Sequence, residues 1–118
     1  MNYCNKNAME DTDAVNAFAA LAHATRLRVF RTLIAAGPEG LAAGRLAEAL
    51  TVSPSNLSAH LSALTQAGLV RARAEGRSRI YAVELDRVAG LVDFLVADCC
   101  QGHPEVCAPL VTALERTC

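Results

Sequence analysis

The sequence is poor in aromatic residues and has no long apolar run. Aromatic side chains make up 4% of the 118 residues although hydrophobic residues make up 53%, so Leu, Val and Ala must build the core, which suits packed helices. No stretch of 18 apolar residues and no basic, apolar leader occurs, which argues against a membrane span or a secretory signal. We therefore expect a cytoplasmic protein with no membrane partner, and one domain over residues 1–118 that is small enough to favour dimerisation.

Signatures of enzymes are missing as well. The sequence contains no Cys-x-x-Cys pair, no cysteine followed by a phosphate-binding loop and no glycine-rich nucleotide loop, all of which mark catalytic sites. The three histidines, His23, His60 and His103, fall in separate segments and suggest no pair of nucleophile and base. We predict that the protein is not an enzyme, against the alternative of a small thiol reductase.

The net charge of −1 conceals an uneven distribution along the chain. Residues 23–81 carry eight arginines against three acids, whereas the two ends together carry three basic residues against nine acids. An arginine-rich middle segment can neutralise phosphates, and acidic flanks keep the remainder off nucleic acid. The alternative is that these charges only solvate exposed faces.

Apolar spacing predicts four helices in the first half of the chain. The first runs from about Asp11 to His23. The predicted inner faces of the four helices, in chain order, are Val15, Phe18, Ala19 and Ala22; Leu27, Phe30, Leu33 and Ile34; Leu46, Ala47 and Leu50; and Leu57, Leu61 and Leu64. Gly37 and Pro38 end the second helix, and Ser53 and Pro54 begin the fourth. The short polar turn between the third and fourth helices predicts a helix-turn-helix.

After Gly68 the pattern alternates with a period of two residues. Residues 70–74 and 79–83 read as two strands around a turn at residues 75–78, and we expect the hairpin arginines to project together from one side: Arg71, Arg73, Arg77 and Arg79. A last long helix follows to about Asp98, with an inner face of Val88, Leu91, Val92, Leu95 and Val96 that is wide enough to pack on a second subunit. Pro109 can open a further short helix. The predicted fold is mainly α, with five to six helices and a two-stranded wing, as a homodimer.

Three of the five cysteines crowd together after this helix. Cys99, Cys100 and Cys107 fall within nine residues, while Cys4 and Cys118 lie near the chain ends. An odd number of scattered cysteines does not suggest a disulfide framework, and thiolates are soft ligands that favour thiophilic ions. Three thiolates favour trivalent arsenic or antimony, whereas His103 would complete a Cys₃His set for zinc. Sensing of oxidants through the thiols is a further alternative.

The helix-turn-helix followed by an arginine-tipped hairpin resembles the ArsR/SmtB family of metal-responsive repressors. The resemblance covers about residues 12–100 and is most specific at residues 21–28, at residues 53–64 and at the Ala-Gly-Leu-Val of residues 67–70. It implies a homodimer that occupies double-stranded operator DNA and leaves it when an ion binds. Arsenic sensors of this family often carry a cysteine pair near the third helix, but residues 47–52 contain none, so the thiol cluster resembles a relocated arsenic site.

We therefore predict a repressor that needs no cofactor to bind DNA and is released when As(III) or Sb(III) binds Cys99, Cys100 and Cys107, in a C-terminal segment of about residues 98–118. Sensing of zinc, cadmium or lead, or of thiol oxidation, is the alternative within the same fold. Polar and small residues of the fourth helix would face the major groove, with Asn56 suited to adenine and Ala59 to thymine methyls. The wing arginines would contact phosphates or the minor groove. His60 borders the inner face and is better suited to a structural role or a phosphate contact than to reading bases. The predicted DNA-binding residues are Ser53, Ser55, Asn56, Ser58, Ala59, His60, Ser62, Arg71, Arg73, Arg77 and Arg79.

Overall fold

The computed structural model describes residues 9–96, 108–109 and 112–113. Five α-helices and a small sheet follow one another along residues 9–96. They are α1 (Asp11–Leu21), α2 (Ala24–Ala36), a 3₁₀ turn (Gly37–Glu39), β1 (Leu41–Ala42), α3 (Ala43–Leu50), α4 (Pro54–Gln66), β2 (Val70–Glu75), β3 (Ser78–Val83) and α5 (Leu85–Val96). Residues 108–109 and 112–113 are helical. Within these described ranges, no helix has both the length and the apolar character needed to cross a bilayer.

The helix-turn-helix forms where the sequence predicts it. The hydroxyl of Ser53 accepts a hydrogen bond from the backbone N–H of Asn56 at 3.2 Å, which satisfies one of the free donors at the start of α4. Pro54 occupies the first turn of α4, where its missing N–H is not needed. Together with the order of the elements, in which α3, α4 and the β2–β3 hairpin follow one another, this confirms the predicted mainly helical, winged helix-turn-helix fold.

The core is built from aliphatic side chains of several elements. The largest fully buried side chains are Val29, Leu33, Leu46, Leu57, Leu61, Leu64, Leu69, Val70 and Val83. The predicted inner faces of α3 and α4 are all buried, because both helices pack on each other and on α2. This packing holds the inner face of α4 against α2 and α3.

The predicted inner face of α1 is wrong. Ala14, Ala17 and Ala20 are buried, whereas Val15 is 64% exposed and Phe18 is 38% exposed. Small alanine side chains let α1 approach α2 and α4 closely, so the larger apolar residues remain on the outer side. Apolar spacing alone favours the larger side chains for the inner face, because it does not show how closely α1 approaches α2 and α4.

The inner faces of α2 and α5 are also narrower than predicted. In α2, Leu27 is 44% exposed and Ile34 is 42% exposed. Leu91 is buried, and Val88 and Phe94 pack against the core. Leu95, predicted to face inward, is 62% exposed. α5 packs along α1, and each of these helices has exposed apolar side chains that the other described residues do not cover.

The sheet contains a third strand that the sequence did not reveal. All pairs are antiparallel in the order β1-β3-β2, with Leu41 opposite Tyr81 and Ala42 opposite Ile80. Gly40 precedes β1 with φ 74°, and a Cβ there would collide with the carbonyl oxygen of Tyr81. A strand of two residues is too short to show an alternating pattern, so only the hairpin was predicted.

Candidate nucleic-acid interface

The outer face of α4 is polar and exposed. Its three leucines point into the core, and since residues three or four apart share one face of a helix, the remaining side chains point away from the domain. The exposed residues at the start and along the outer face are Ser53, Ser55, Asn56, Ser58, Ala59, Ser62 and Gln66. These hydroxyl and amide groups can donate and accept hydrogen bonds, and short side chains allow close approach to a groove.

Arg28 of α2 holds the turn that leads into α4. Its guanidinium donates to the backbone oxygen of Leu50 at 3.0 Å, at the C-terminus of α3. Thr51 follows in the left-handed conformation with φ 55°, and its N–H closes the helix on Glu48. A cation at a helix C-terminus is favoured by the exposed carbonyls, so Arg28 stabilises α3 and sets the entry to α4.

The four wing arginines fall into two groups. Arg71 of β2 lies 3.1 Å from the carboxylate of Glu84. Arg73 lies 3.5 Å from Glu75 and donates to the backbone oxygen of Glu39 at 3.2 Å. Arg77 and Arg79 are exposed, and neither side chain makes a hydrogen bond or ion pair with the residues that the structure describes.

The hairpin register also corrects the expected common direction of these arginines. Arg73 lies opposite Ile80, and Arg79 lies opposite Ala74. Paired residues of an antiparallel sheet point to the same face, and neighbours along a strand to opposite faces. Arg71 and Arg73 therefore project from one face and Arg79 from the other. The wing can present cations on both sides of its tip.

His60 of α4 belongs to a polar cluster on the side of this helix that faces α2. Its Nδ1 accepts from Nε of Arg26 at 3.4 Å, and its ring lies 4.6 Å from the ring of His23, centroid to centroid. Burial, with smaller contributions from His23 and Arg26, lowers the pKa of His60 below its ordinary value of 6.5. These surroundings therefore disfavour the charged form of the His60 imidazole.

The predicted thiol site lies outside the described residues. This holds for Cys99, Cys100 and Cys107 as well as for Cys4, His103 and Cys118. Across the part of the chain that the structure does describe, no three His, Cys, Asp or Glu side chains come together as a set that could hold a metal ion.

Two positioning residues, Arg28 and Glu84, cannot be recognised from the sequence alone. Both act on groups that are distant in sequence: Arg28 on the carbonyl of Leu50, and Glu84 on the guanidinium of Arg71. An arginine on an amphipathic helix and an acid between a strand and a helix carry no periodic signal. Their roles follow only from tertiary contacts.

Comparisons with known proteins agree with this geometry. Residues 21–73 match a family described as a helix-turn-helix domain. Over 67 residues the chain is 43% identical to a relative from Halobacterium salinarum described as an arsenical resistance operon repressor, ArsR; the match covers 57% of this chain. The chain spans about half of that relative, 51% of its length.

Two solved structures are similar over most of their length. HlyU from Vibrio cholerae is 31% identical, with a TM-score of 0.61, over 75% of this chain and 96% of HlyU. A homodimeric winged helix-turn-helix DNA-binding domain of Mb0332 from Mycobacterium bovis, described as a possible ArsR-family transcriptional regulator, is 27% identical, with a TM-score of 0.59. That match covers 79% of this chain and 92% of the domain.

Proposed function

We propose that this chain, which belongs to the ArsR/SmtB family of winged-helix transcriptional regulators, is a repressor that binds double-stranded operator DNA as a homodimer. A thiophilic metalloid releases the repressor from this DNA. The observation that carries the DNA-binding part is one juxtaposition. The exposed polar face of α4 adjoins a hairpin, because α4 packs on β2, and the arginines at the hairpin tip are exposed. A regulator of this family is not an enzyme.

On DNA, α4 lies in the major groove. Asn56 and Ser55 hydrogen-bond base edges, Ala59 contacts thymine methyls, and the other exposed serines of α4 help to fix its position. Arg77 and Arg79 contact phosphates beside the groove. Arg71 and Arg73 contribute less, because each must first give up an intramolecular partner.

The homodimer forms through α1 and α5. Val15 and Phe18 on α1 and Leu95 on α5 are exposed apolar residues on helices that pack together. A second copy would cover them, as dimer interfaces are more apolar than the rest of a surface. The homodimeric state of the similar Mycobacterium bovis domain supports this assignment.

The inducer is As(III) or Sb(III), bound by Cys99, Cys100 and Cys107 in the C-terminal segment after α5. Support comes from the chemistry of three neighbouring thiols, which favour soft centres, and from the relative described as an arsenical resistance operon repressor. Displacing the end of α5 changes how two subunits meet, and therefore how their two α4 helices are spaced. A coupling free energy of about 2.7 kcal/mol would weaken operator binding about 100-fold.

Calorimetric titration of the reduced protein with arsenite, antimonite, zinc and cadmium tests the inducer and its site. We expect one arsenite per chain, and loss of tight arsenite binding in Cys107→Ser, because serine is a poor ligand for a soft centre. Cys4→Ser is the matched control and should bind arsenite as the parent does. Tighter binding of zinc than of arsenite, with His103→Ala losing the zinc, would establish the divalent alternative. Operator release by peroxide without any ion would establish the redox alternative.

A further inference from the structure

The cluster of His23, Arg26 and His60 lies where α1, α2 and α4 meet. His23 immediately precedes α2, Arg26 lies in its first turn, and His60 lies in α4. A second nitrogen of Arg26 donates to the carbonyl of Ala20 at 3.4 Å, near the end of α1. The cluster thus ties the α1–α2 junction to the middle of α4.

Both imidazoles act as hydrogen-bond acceptors in this cluster. Nδ1 of His23 accepts from the backbone N–H of Thr25 at 3.1 Å and so caps α2, a position usually held by Ser, Thr, Asp or Asn. Nδ1 of His60 accepts from Arg26. A nitrogen that accepts a hydrogen bond carries no proton, so both contacts require neutral rings.

The charges around His60 offer a proton no compensation from within the cluster. The charged or titratable groups that shift its pKa are His23 from the junction and Arg26 from α2, and both disfavour a cation. Besides Arg26, α2 carries Arg28, which donates to the backbone oxygen of Leu50, and Arg31. The other elements that pack on α4 are α1, α3 and β2. α1 carries Asp11 and Asp13, and Asp13 lies 3.9 Å from Arg87. α3 carries Arg45 and Glu48. β2 carries Arg71, Arg73 and Glu75, which take part in the wing ion pairs.

We propose that His60, supported by His23 and Arg26, is a positioning residue that holds α4 in its DNA-binding orientation only while its imidazole is neutral, so that acid weakens operator binding. The inference rests on the proposed function. Protonation of His60 turns the acceptor for Arg26 into a donor and places a cation beside the guanidinium. The polar contact between Arg26 of α2 and His60 of α4 then opens beside the leucine packing, and the outer face of α4 shifts relative to the wing.

The sign of the pH dependence follows from linkage. Well above 6.5 the ring is neutral in both the intact and the opened cluster, and protons have no effect. As the pH falls below 6.5 the opened state takes up a proton first, because the pKa of His60 is lowered in the intact cluster. Acid therefore favours the opened state, and the loss continues until the pH has passed the lowered pKa.

Operator affinity measured against pH tests the proposal, with a non-titrating variant as reference. The probe is a labelled duplex that the parent protein enriches from a random-sequence pool, at constant ionic strength. His60→Gln keeps an acceptor for Arg26 but does not titrate. We expect the affinity of the parent, divided by that of His60→Gln, to fall about threefold or more between pH 7.5 and 5.5, within the tenfold per pH unit that one proton allows for each subunit of the dimer.

A constant ratio would overturn the proposal. A ratio that rises in acid would also overturn it, because the imidazolium would then be contacting phosphate. If the parent binds no duplex at pH 7.5, the proposed function fails instead, which is a separate outcome.

A nuclear magnetic resonance titration of the ring protons keeps the proposal testable if His60→Gln does not fold. His23→Asn retains a good capping residue and removes one neighbour that lowers the pKa of His60. We expect the titration midpoint of His60 to lie below 6.5 in the parent and to rise in His23→Asn. A midpoint that is at 6.5 in the parent and unchanged in the variant would contradict the cluster.

Discussion

Replacing Gly40 with alanine is the sharpest test of how the wing is anchored. Gly37 and Gly40 adopt nearly the same backbone conformation, with φ 79° and ψ −165° at Gly37 and φ 74° and ψ −167° at Gly40. That region is almost exclusive to glycine, and a side chain in it costs about 1–3 kcal/mol. Gly37→Ala should pay only this cost, since its Cβ would meet open space.

Gly40→Ala adds a collision with backbone. Its Cβ would overlap the carbonyl oxygen of Tyr81, which no side-chain rotation can relieve. β1 would have to leave β3, with the loss of about 1 kcal/mol for each net hydrogen bond. We therefore expect Gly40→Ala to lower the free energy of unfolding by about 3–5 kcal/mol, well beyond the loss in Gly37→Ala.

Urea unfolding, monitored by circular dichroism, measures the difference in free energy of unfolding between Gly40→Ala and Gly37→Ala. Both variants must be compared with the parent at one protein concentration, because dimerisation couples stability to concentration. Equal destabilisation by the two substitutions would refute the close approach of Gly40 to Tyr81, and with it the pairing of β1 that supports the hairpin.

Three further predictions concern DNA and dimer contacts. Arg77→Ala should weaken binding to every duplex and reduce the slope of log affinity against log salt by about one, as loss of one phosphate contact requires, whereas Arg31→Ala on α2 should leave the slope unchanged. Asn56→Ala should mainly erode discrimination between sequences, by about 1–3 kcal/mol at one base pair, in competition binding assays; uniform weakening would contradict base readout. Phe18→Glu should shift the sedimenting species from dimer to monomer, while Leu27→Glu, also at an exposed apolar position, should not; a dimeric Phe18→Glu would exclude α1 from the interface.

The helix-turn-helix was predictable because its signals are local. Ser53 and Pro54 start α4 through bonds within four residues, and leucines at a spacing of three and four mark its buried face. The alternation of the hairpin likewise arises within each strand. Such patterns can therefore be recognised in the sequence without knowledge of the tertiary structure.

The remaining features depend on contacts between distant segments. The buried face of α1 consists of alanines, whose small size matters only because α2 and α4 approach closely. The partner of Arg71 is Glu84, thirteen residues away, and the cluster of His23 and His60 forms only when α2 meets α4. The assignment of the inducer site to Cys99, Cys100 and Cys107 stays a prediction, since these residues lie outside the described ranges.

The most direct test of the proposed function is the fluorescence anisotropy of a labelled operator duplex bound by the reduced parent protein, recorded while arsenite is added. We expect anisotropy to fall to the value of free DNA and the apparent dissociation constant to rise about 100-fold, a coupling of about 2.7 kcal/mol. A complex that persists at saturating arsenite, or that dissociates only with zinc or an oxidant, would contradict release by a metalloid.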